Sequence, residues 1–441
     1  MSNLAQQQVP EGYKQTEVGV IPSDWSVKKI SDLSQVIRGA SPRPKGDKRY
    51  YGGSVPRLMV QDVTRAGMYV TPQIDFLTEA GKKLSRPCEA GTLTLVCSGT
   101  VGVPSILAVD ACIHDGFLAL IKLVKGIDRD YLYQFFKTQQ EKFDNSATHG
   151  GVFTNLTTDG VREFLVPVPS EVKEQTAIAN ALSDVDALIV SLEKLIAKKR
   201  AIKTAAMQQL LTGKKRLPPF DQAHTGYKQT ELGEIPEDWE VKSYGQAFNF
   251  LTTASNSRSD LHDNGDYQYI HYGDIHVKWD SIVDFSADQI PKINSGNVSN
   301  ATLLKDGDLI MADASEDYAG IGKSVEVTGL GGAKAVSGLH TFLLRDVGVF
   351  SEGYRGYLHQ IKTTKKSFDR LATGLKVYGL SKGNLKSVLL PVPPKVEQVL
   401  ITEVLSDMAG EIDSLNERLS KTQQLKQGVM HELLTGRTRL V

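Results

Sequence analysis

Apolar residues fall at Ile178, Leu182, Val185, Ile189, Leu192 and Ile196, in alternating steps of four and three. The same spacing returns at Ile401, Leu405, Met408, Ile412, Leu415 and Leu419. Such steps place a narrow apolar seam along one side of a helix, the spacing of a coiled coil. Each seam follows a proline cluster, Val166-Pro-Val-Pro169 or Leu390-Pro-Val-Pro-Pro394, and precedes a glycine, Gly213 or Gly436, placed as a C-terminal cap. These limits predict two helices of about 40 residues, each on the order of 60 Å long. Two seams in one chain can bury each other as an antiparallel intramolecular pair; the alternative is that each helix packs on its own domain.

Elsewhere the pattern breaks into short β-rich runs, such as Gly91-Thr-Leu-Thr-Leu-Val-Cys97 and Gly307-Asp-Leu-Ile-Met311. Gly-rich turns and helical stretches around Tyr131 to Phe143 and Tyr354 to Phe368 separate them. Residues 26–165 and 240–389 read as two independent α/β regions of similar size with little mutual similarity. What surrounds them is duplicated. Gly12-Tyr-Lys-Gln-Thr-Glu-Val-Gly-Val-Ile-Pro-Ser-Asp-Trp25 returns almost unchanged from Gly226 to Trp239, shifted by 214. Glu174 to Leu217 returns as Glu397 to Leu440 at a constant shift of 223, keeping Glu-Gln, Leu-Ser-Asp and Leu-Leu-Thr-Gly. A period of that length is two whole domains rather than a solenoid. The chain therefore alternates constant and variable segments, which suggests one scaffold presenting two different surfaces.

Composition narrows the functions open to such a scaffold. Of 441 residues, 40% are hydrophobic and 23% charged, as in a soluble globular protein. No apolar run has the length of a membrane span and no secretory leader is visible at the start, so a cytoplasmic location is expected. Cys88, Cys97 and Cys112 lack paired spacing, which supports neither a disulfide framework nor a zinc site; buried thiols are expected, and no metal. The 51 basic and 51 acidic residues cancel, so strong binding to DNA would need a few well-placed side chains or a basic partner. Basic character is local: Lys194 to Arg216 carries eight basic residues and no acidic one, which reads as a solvated face, or one near phosphate or an acidic partner.

Enzyme motifs are missing. Gly320-Ile-Gly-Lys-Ser324 resembles the end of a phosphate-binding loop, but the required first glycine would fall at Asp317. His114 and Asp115 are adjacent, yet no Gly-x-Ser-x-Gly elbow accompanies them, so they read as a structural pair. Chemistry, if any, belongs to a partner.

Ile-Pro-x-Asp-Trp opening each half, Val-Pro-Val-Pro and Glu-Gln leading a long helix, and Leu-Leu-Thr-Gly closing it together resemble the specificity subunits of type I restriction-modification systems. Arg38-Gly-Ala-Ser-Pro42, Gly91 to Gly99, Asp306 to Asp317, His149 to Leu156 and Thr373 to Leu380 resemble target-recognition segments. The resemblance implies an α/β (α+β) chain with two similar globular target-recognition domains, residues 1–165 and 218–389. Two long antiparallel helices, within 166–217 and 390–441, would form a coiled coil that separates the domains with pseudo-twofold symmetry. It also implies that each domain reads half of a split site in double-stranded DNA, and that two methylase and two restriction subunits assemble on this chain. S-adenosylmethionine, ATP and Mg would belong to those partners, and this chain would be non-catalytic.

Base reading needs donors or acceptors on loops able to enter a groove. The candidates are Arg38, Arg43, Lys45, Arg49, Gln61, Thr100 and His149 in the first half, and Arg258, His271, Tyr272, Lys278, Lys323, Lys376 and Tyr378 in the second. Trp25 and Trp239 read as packing residues. A protein-binding scaffold that never touches DNA, and an enzyme with an unrecognised site, are the competing readings.

Overall fold

The computed structural model describes residues 9–146, 156–221, 226–298 and 300–440. The chain divides into two units, residues 1–193 with 417–441, and residues 194–416. Each is built on a five-stranded mixed sheet. In the first unit the strand order is Gln35–Arg38, Phe117–Ile121, Leu93–Val96, Pro104–Leu107, Tyr69–Val70; in the second it is Phe248–Leu251, Thr341–Asp346, Leu309–Ala312, Ser324–Thr328, Ile282–Asp284. Chain order and direction agree strand for strand, and in both sheets only the last pair is parallel. The two variable regions thus share a topology that their sequences conceal.

The apolar runs lie at the centre of these sheets, where both faces are covered. Leu93 and Leu95 enter a core with Tyr131, Leu132, Phe136 and Ile178, while Val96 enters a second core with Leu58, Leu107 and Phe117. Leu309 and Met311 are divided from Ile310 and Ala312 in the same way. A smaller sheet flanks each large one and holds one parallel pair: Tyr51–Leu58 with Ala111–Ile113, and Tyr267–Ile270 with Ala335–Ser337. Strands at the two ends of each variable region pair with each other, Ser26–Lys29 with Leu165–Val168 and Glu240–Ser243 with Leu389–Val392. Each insert therefore leaves the scaffold where it entered.

The long helices run Val172–Leu210 and Lys395–Leu434. Gly213 and Gly436 follow them with φ of +69° each, the left-handed cap that glycine adopts most readily. Their ion pairs fix the direction: Asp186 meets Lys426 at 2.5 Å in the first unit, and Lys199 meets Glu411 at 2.6 Å in the second. Numbers rising on one helix and falling on the other mean antiparallel packing. Leu192, Ile196 and Ile412 are buried, and Val185, Ile189, Met408, Leu415 and Leu419 are half-buried. At its ends the seam packs on the opposite helix within a domain core. Ile178 and Leu182 lie in a domain core with Leu433 and Leu434, and Ile401 and Leu405 lie in another with Leu210 and Leu211. The helix ends are parts of the domains.

A duplicated charge cluster holds each unit. Arg439 donates to Glu174 and Asp24 at 2.8 Å each, while the Trp25 indole donates to Glu174 at 3.2 Å. Arg216 donates to Glu397 at 2.6 Å and Asp238 at 2.7 Å, and Trp239 donates to Glu397 at 2.9 Å. Both tryptophans are buried packing residues. The basic run beginning at Lys194 meets acidic groups of its own chain in part: besides Lys199 and Arg216, Lys203 pairs with Asp280 at 2.8 Å. The three cysteines are free and buried, and burial pushes the Cys88 and Cys97 thiols up to about 11, which leaves them unreactive near neutrality. Among the described residues, no helix is long and apolar enough to cross a membrane.

Candidate nucleic-acid interface

Strand register decides which loops meet. In the first domain Ile113 pairs in parallel with Leu58, which sets loop 114–116 beside the start of the short helix Val60–Arg65. Leu118 pairs with Arg38 and Phe117 with Val96, so the loops after Arg38 and Val96 reach that same edge. In the second domain Ile270 pairs with Ser337, Leu251 with Leu343 and Ala312 with Thr341. The loops after these strands, together with the start of the helix Tyr272–Val277, form the matching edge. Most of the candidate readers lie on these two edges.

Asp115 organises the first edge. Its carbonyl accepts from Arg38 Nε at 2.9 Å, and its carboxylate accepts from Ser41 Oγ at 2.6 Å and lies 3.7 Å from Arg43. Burial alone would raise Asp115, but the Ser41 hydrogen bond and further contacts hold it below the ordinary carboxylate value. Behind it the buried Arg57 donates to Ser41 at 2.7 Å and pairs with Asp75 at 2.5 Å. Arg38 and Arg43 are thereby held at one place with exposed side chains, as phosphate or guanine recognition requires. His114 Nδ1 accepts from the Gly116 amide at 2.9 Å, and burial followed by Arg57 lowers its pKa. A ring nitrogen that accepts from an amide carries no proton, so His114 and Asp115 shape a loop rather than form an acid–base pair.

Gln61 and Thr100 are exposed on the same edge, Gln61 in the first turn of its helix and Thr100 after Gly99. Lys45 is exposed, whereas Arg49 turns back on its own loop to pair with Asp47 at 2.7 Å. His149 lies outside the described residues.

Asp274 organises part of the second edge. Its side chain is 2% exposed and meets Arg258 at 2.8 Å and Lys278 at 3.2 Å, both of which keep large open surfaces. His271 Nδ1 accepts from the Gly273 amide at 3.0 Å and caps the helix; burial and then Arg258 lower its pKa, which keeps it neutral. Tyr272 stacks toward His271 at 4.7 Å and meets the His340 ring edge-on at 5.4 Å. Tyr378 packs on Tyr318 with centroids 3.9 Å apart. It ends a loop closed by paired Thr373 and Gly379, on which Lys376 is exposed and Leu375 is 98% exposed. Lys323 is engaged within the fold, donating to the His276 carbonyl at 3.0 Å.

The structure thus brings together Arg38, Arg43, Gln61 and Thr100 on one edge, and Arg258, His271, Tyr272, Lys278 and Tyr378 on the other. Sequence reasoning missed the carboxylates that position them, Asp115 and Asp274, because an acidic residue beside DNA looks unfavourable until its cationic partners are known. It also missed His340, whose backbone conformation has no signature in composition.

The type I restriction modification DNA specificity domain matches twice, at residues 22–203 and 236–426. The chain is 31% identical over 237 residues to the type I restriction enzyme MjaIX specificity subunit of Methanocaldococcus jannaschii, a match covering 53% of this chain and 54% of that protein. It is 23% identical over 448 residues to the putative MjaX specificity subunit of the same organism, covering 98% of this chain and 97% of that one. The fold resembles the crystal structure of the type I restriction-modification S subunit from M. genitalium, with a TM-score of 0.53, 16% identity and coverage of 93% of this chain and 96% of that chain. With both matched segments falling on the duplicated units, the chain belongs to the type I restriction modification DNA specificity family, as a two-domain specificity subunit.

Proposed function

We propose that the chain selects the DNA sequence on which a type I restriction-modification complex acts, reading a bipartite duplex site with one half-site per domain. The observation that carries this is the repeated edge: two domains of one topology present different polar sets at the same position, Arg38, Arg43 and Gln61 in one, Arg258, His271 and Tyr272 in the other. A scaffold serving only protein contacts has no reason to keep the frame and replace the loops in this way. Two methylase subunits and two restriction subunits complete the assembly in the cytosol. S-adenosylmethionine, ATP and Mg belong to those partners, and this chain contributes no catalytic group. The balanced net charge fits that division, because partners closing around the duplex supply part of the phosphate contacts.

The test combines the purified chain, its methylase subunit and short duplexes. Methyl transfer that depends on a split sequence and requires this chain supports the proposal. Transfer independent of sequence, or turnover by the chain alone, overturns it.

A further inference from the structure

We propose that His340 is a base-contacting, specificity-determining residue of the second half-site, with Asp313 as its positioning residue; this rests on the DNA-reading function above. His340 holds a left-handed backbone, φ +58°, a conformation found at only one other non-glycine residue among those described. A side chain there is disfavoured unless the surroundings impose it, and such residues gather at functional sites. The surroundings do impose it here. The Asp313 amide donates to the His340 carbonyl at 3.1 Å, and His340 Nδ1 lies 3.3 Å from Asp313 Oδ1. Tyr272 meets the ring edge-on at 5.4 Å. Two elements therefore grip one imidazole, yet 50% of its side chain remains open, so packing is not the reason for the constraint.

The chemistry follows from the ring. When Nδ1 carries the proton and donates it to the Asp313 carboxylate, Nε2 is left as an acceptor, and it has no partner among the described residues. An oriented acceptor suits the exocyclic amino group of adenine or cytosine on the major-groove edge. The neighbours suit the same ligand: Arg258 and Lys278 keep exposed cationic ends on this edge for phosphate, and Tyr272 flanks the imidazole.

The experiment uses the full-length chain assembled with its methylase, and maps methylated sites by long-read sequencing of treated genomic DNA. The deciding variant is His340→Gly, which removes the imidazole while relieving the left-handed backbone. It should unfold at the parental temperature or above, and should lose about tenfold discrimination at one base pair of one half-site. Asp313→Ala should relax the same base pair, and Asp313→Asn, which keeps an acceptor oxygen, should recover part of it. The other half-site should not change in any variant. A folded His340→Gly complex with parental preference at every position overturns the proposal and leaves the function of the chain standing. Where methylation falls too low to map, competition binding with duplexes altered one base pair at a time replaces it, and penalties equal to the parent's at every position overturn it equally. Sequence-independent methylation by the parental complex would sink the underlying function and this inference with it.

Discussion

Glu174 and Glu397, each 1% exposed, are charges that a fold tolerates only when paired. Their partners stand far away in sequence: Arg439 for Glu174, and Arg216 for Glu397. Arg216→Ala would strand Glu397 with the Trp239 indole alone, and should cost about 3–5 kcal/mol in urea unfolding. Glu397→Gln should cost less, because its amide oxygen still accepts from the indole. A cost below about 1 kcal/mol for Arg216→Ala would show that water replaces the guanidinium. His359 carries a second expectation. Its Nδ1 lies 3.2 Å from Ser324 Oγ, and burial first, then Lys323 and Lys365, push its pKa down to about 4 against the opposing Asp280. The unfolded imidazole gains its proton near pH 6.5 while the folded one resists, so stability should fall as pH drops from about 6.5 toward 4. The change would be up to about 3 kcal/mol. His359→Gln should flatten that part of the stability profile, and an unchanged slope would place the proton uptake elsewhere. At this scale the tryptophans were legible, since large aromatics beside proline anchors imply packing. Arg216 was not, because a basic run reads as solvated until a carboxylate 181 residues away is brought to it.

At the scale of elements, the long helices were the most legible feature. Their spacing, prolines and glycine caps act over a few residues, and helices of 39 and 40 residues result. What periodicity did not show is that the seam enters a domain core at its ends, where Ile178 and Leu182 pack among domain residues as well as with Leu433 and Leu434 of the other helix. An apolar position is the same letter whichever surface covers it. Leu192→Asp combined with Leu415→Asp should destabilise by several kcal/mol, since Leu192 is buried and Leu415 half-buried. Loss of folding or of methylase binding, read by circular dichroism and co-purification, is expected; a stable and fully active complex would rule out the paired helices. The strands were visible as apolar runs, but the flanking sheets and their parallel pairs were not, because short strands are defined by partners rather than by their own sequence.

At the scale of the molecule, the paired strands at the mouth of each insert, Ser26–Lys29 with Leu165–Val168, make the variable region an exchangeable part. Replacing residues 26–165 with the matching region of another specificity subunit should change one half of the methylated sequence and leave the other half as it was. A change in both halves, or in neither, would show that the domains do not read independently. The duplication, the constant and variable segments, the helix pair and the family resemblance were all present in the sequence by itself, since each depends on residue identity or on spacing within a few turns. Only the tertiary structure decided which side chains share an edge. Asp313 and His340 are 27 residues apart and Arg38 and Asp115 are 77 apart, and each pair meets through strand register. The closing segment of each helix likewise joins a carboxylate at the start of the other, Arg439 with Glu174 and Arg216 with Glu397. Local sterics and hydrogen bonding write helices and turns into neighbouring residues, whereas these meetings depend on pairing and burial across the whole chain, which no short window of sequence contains.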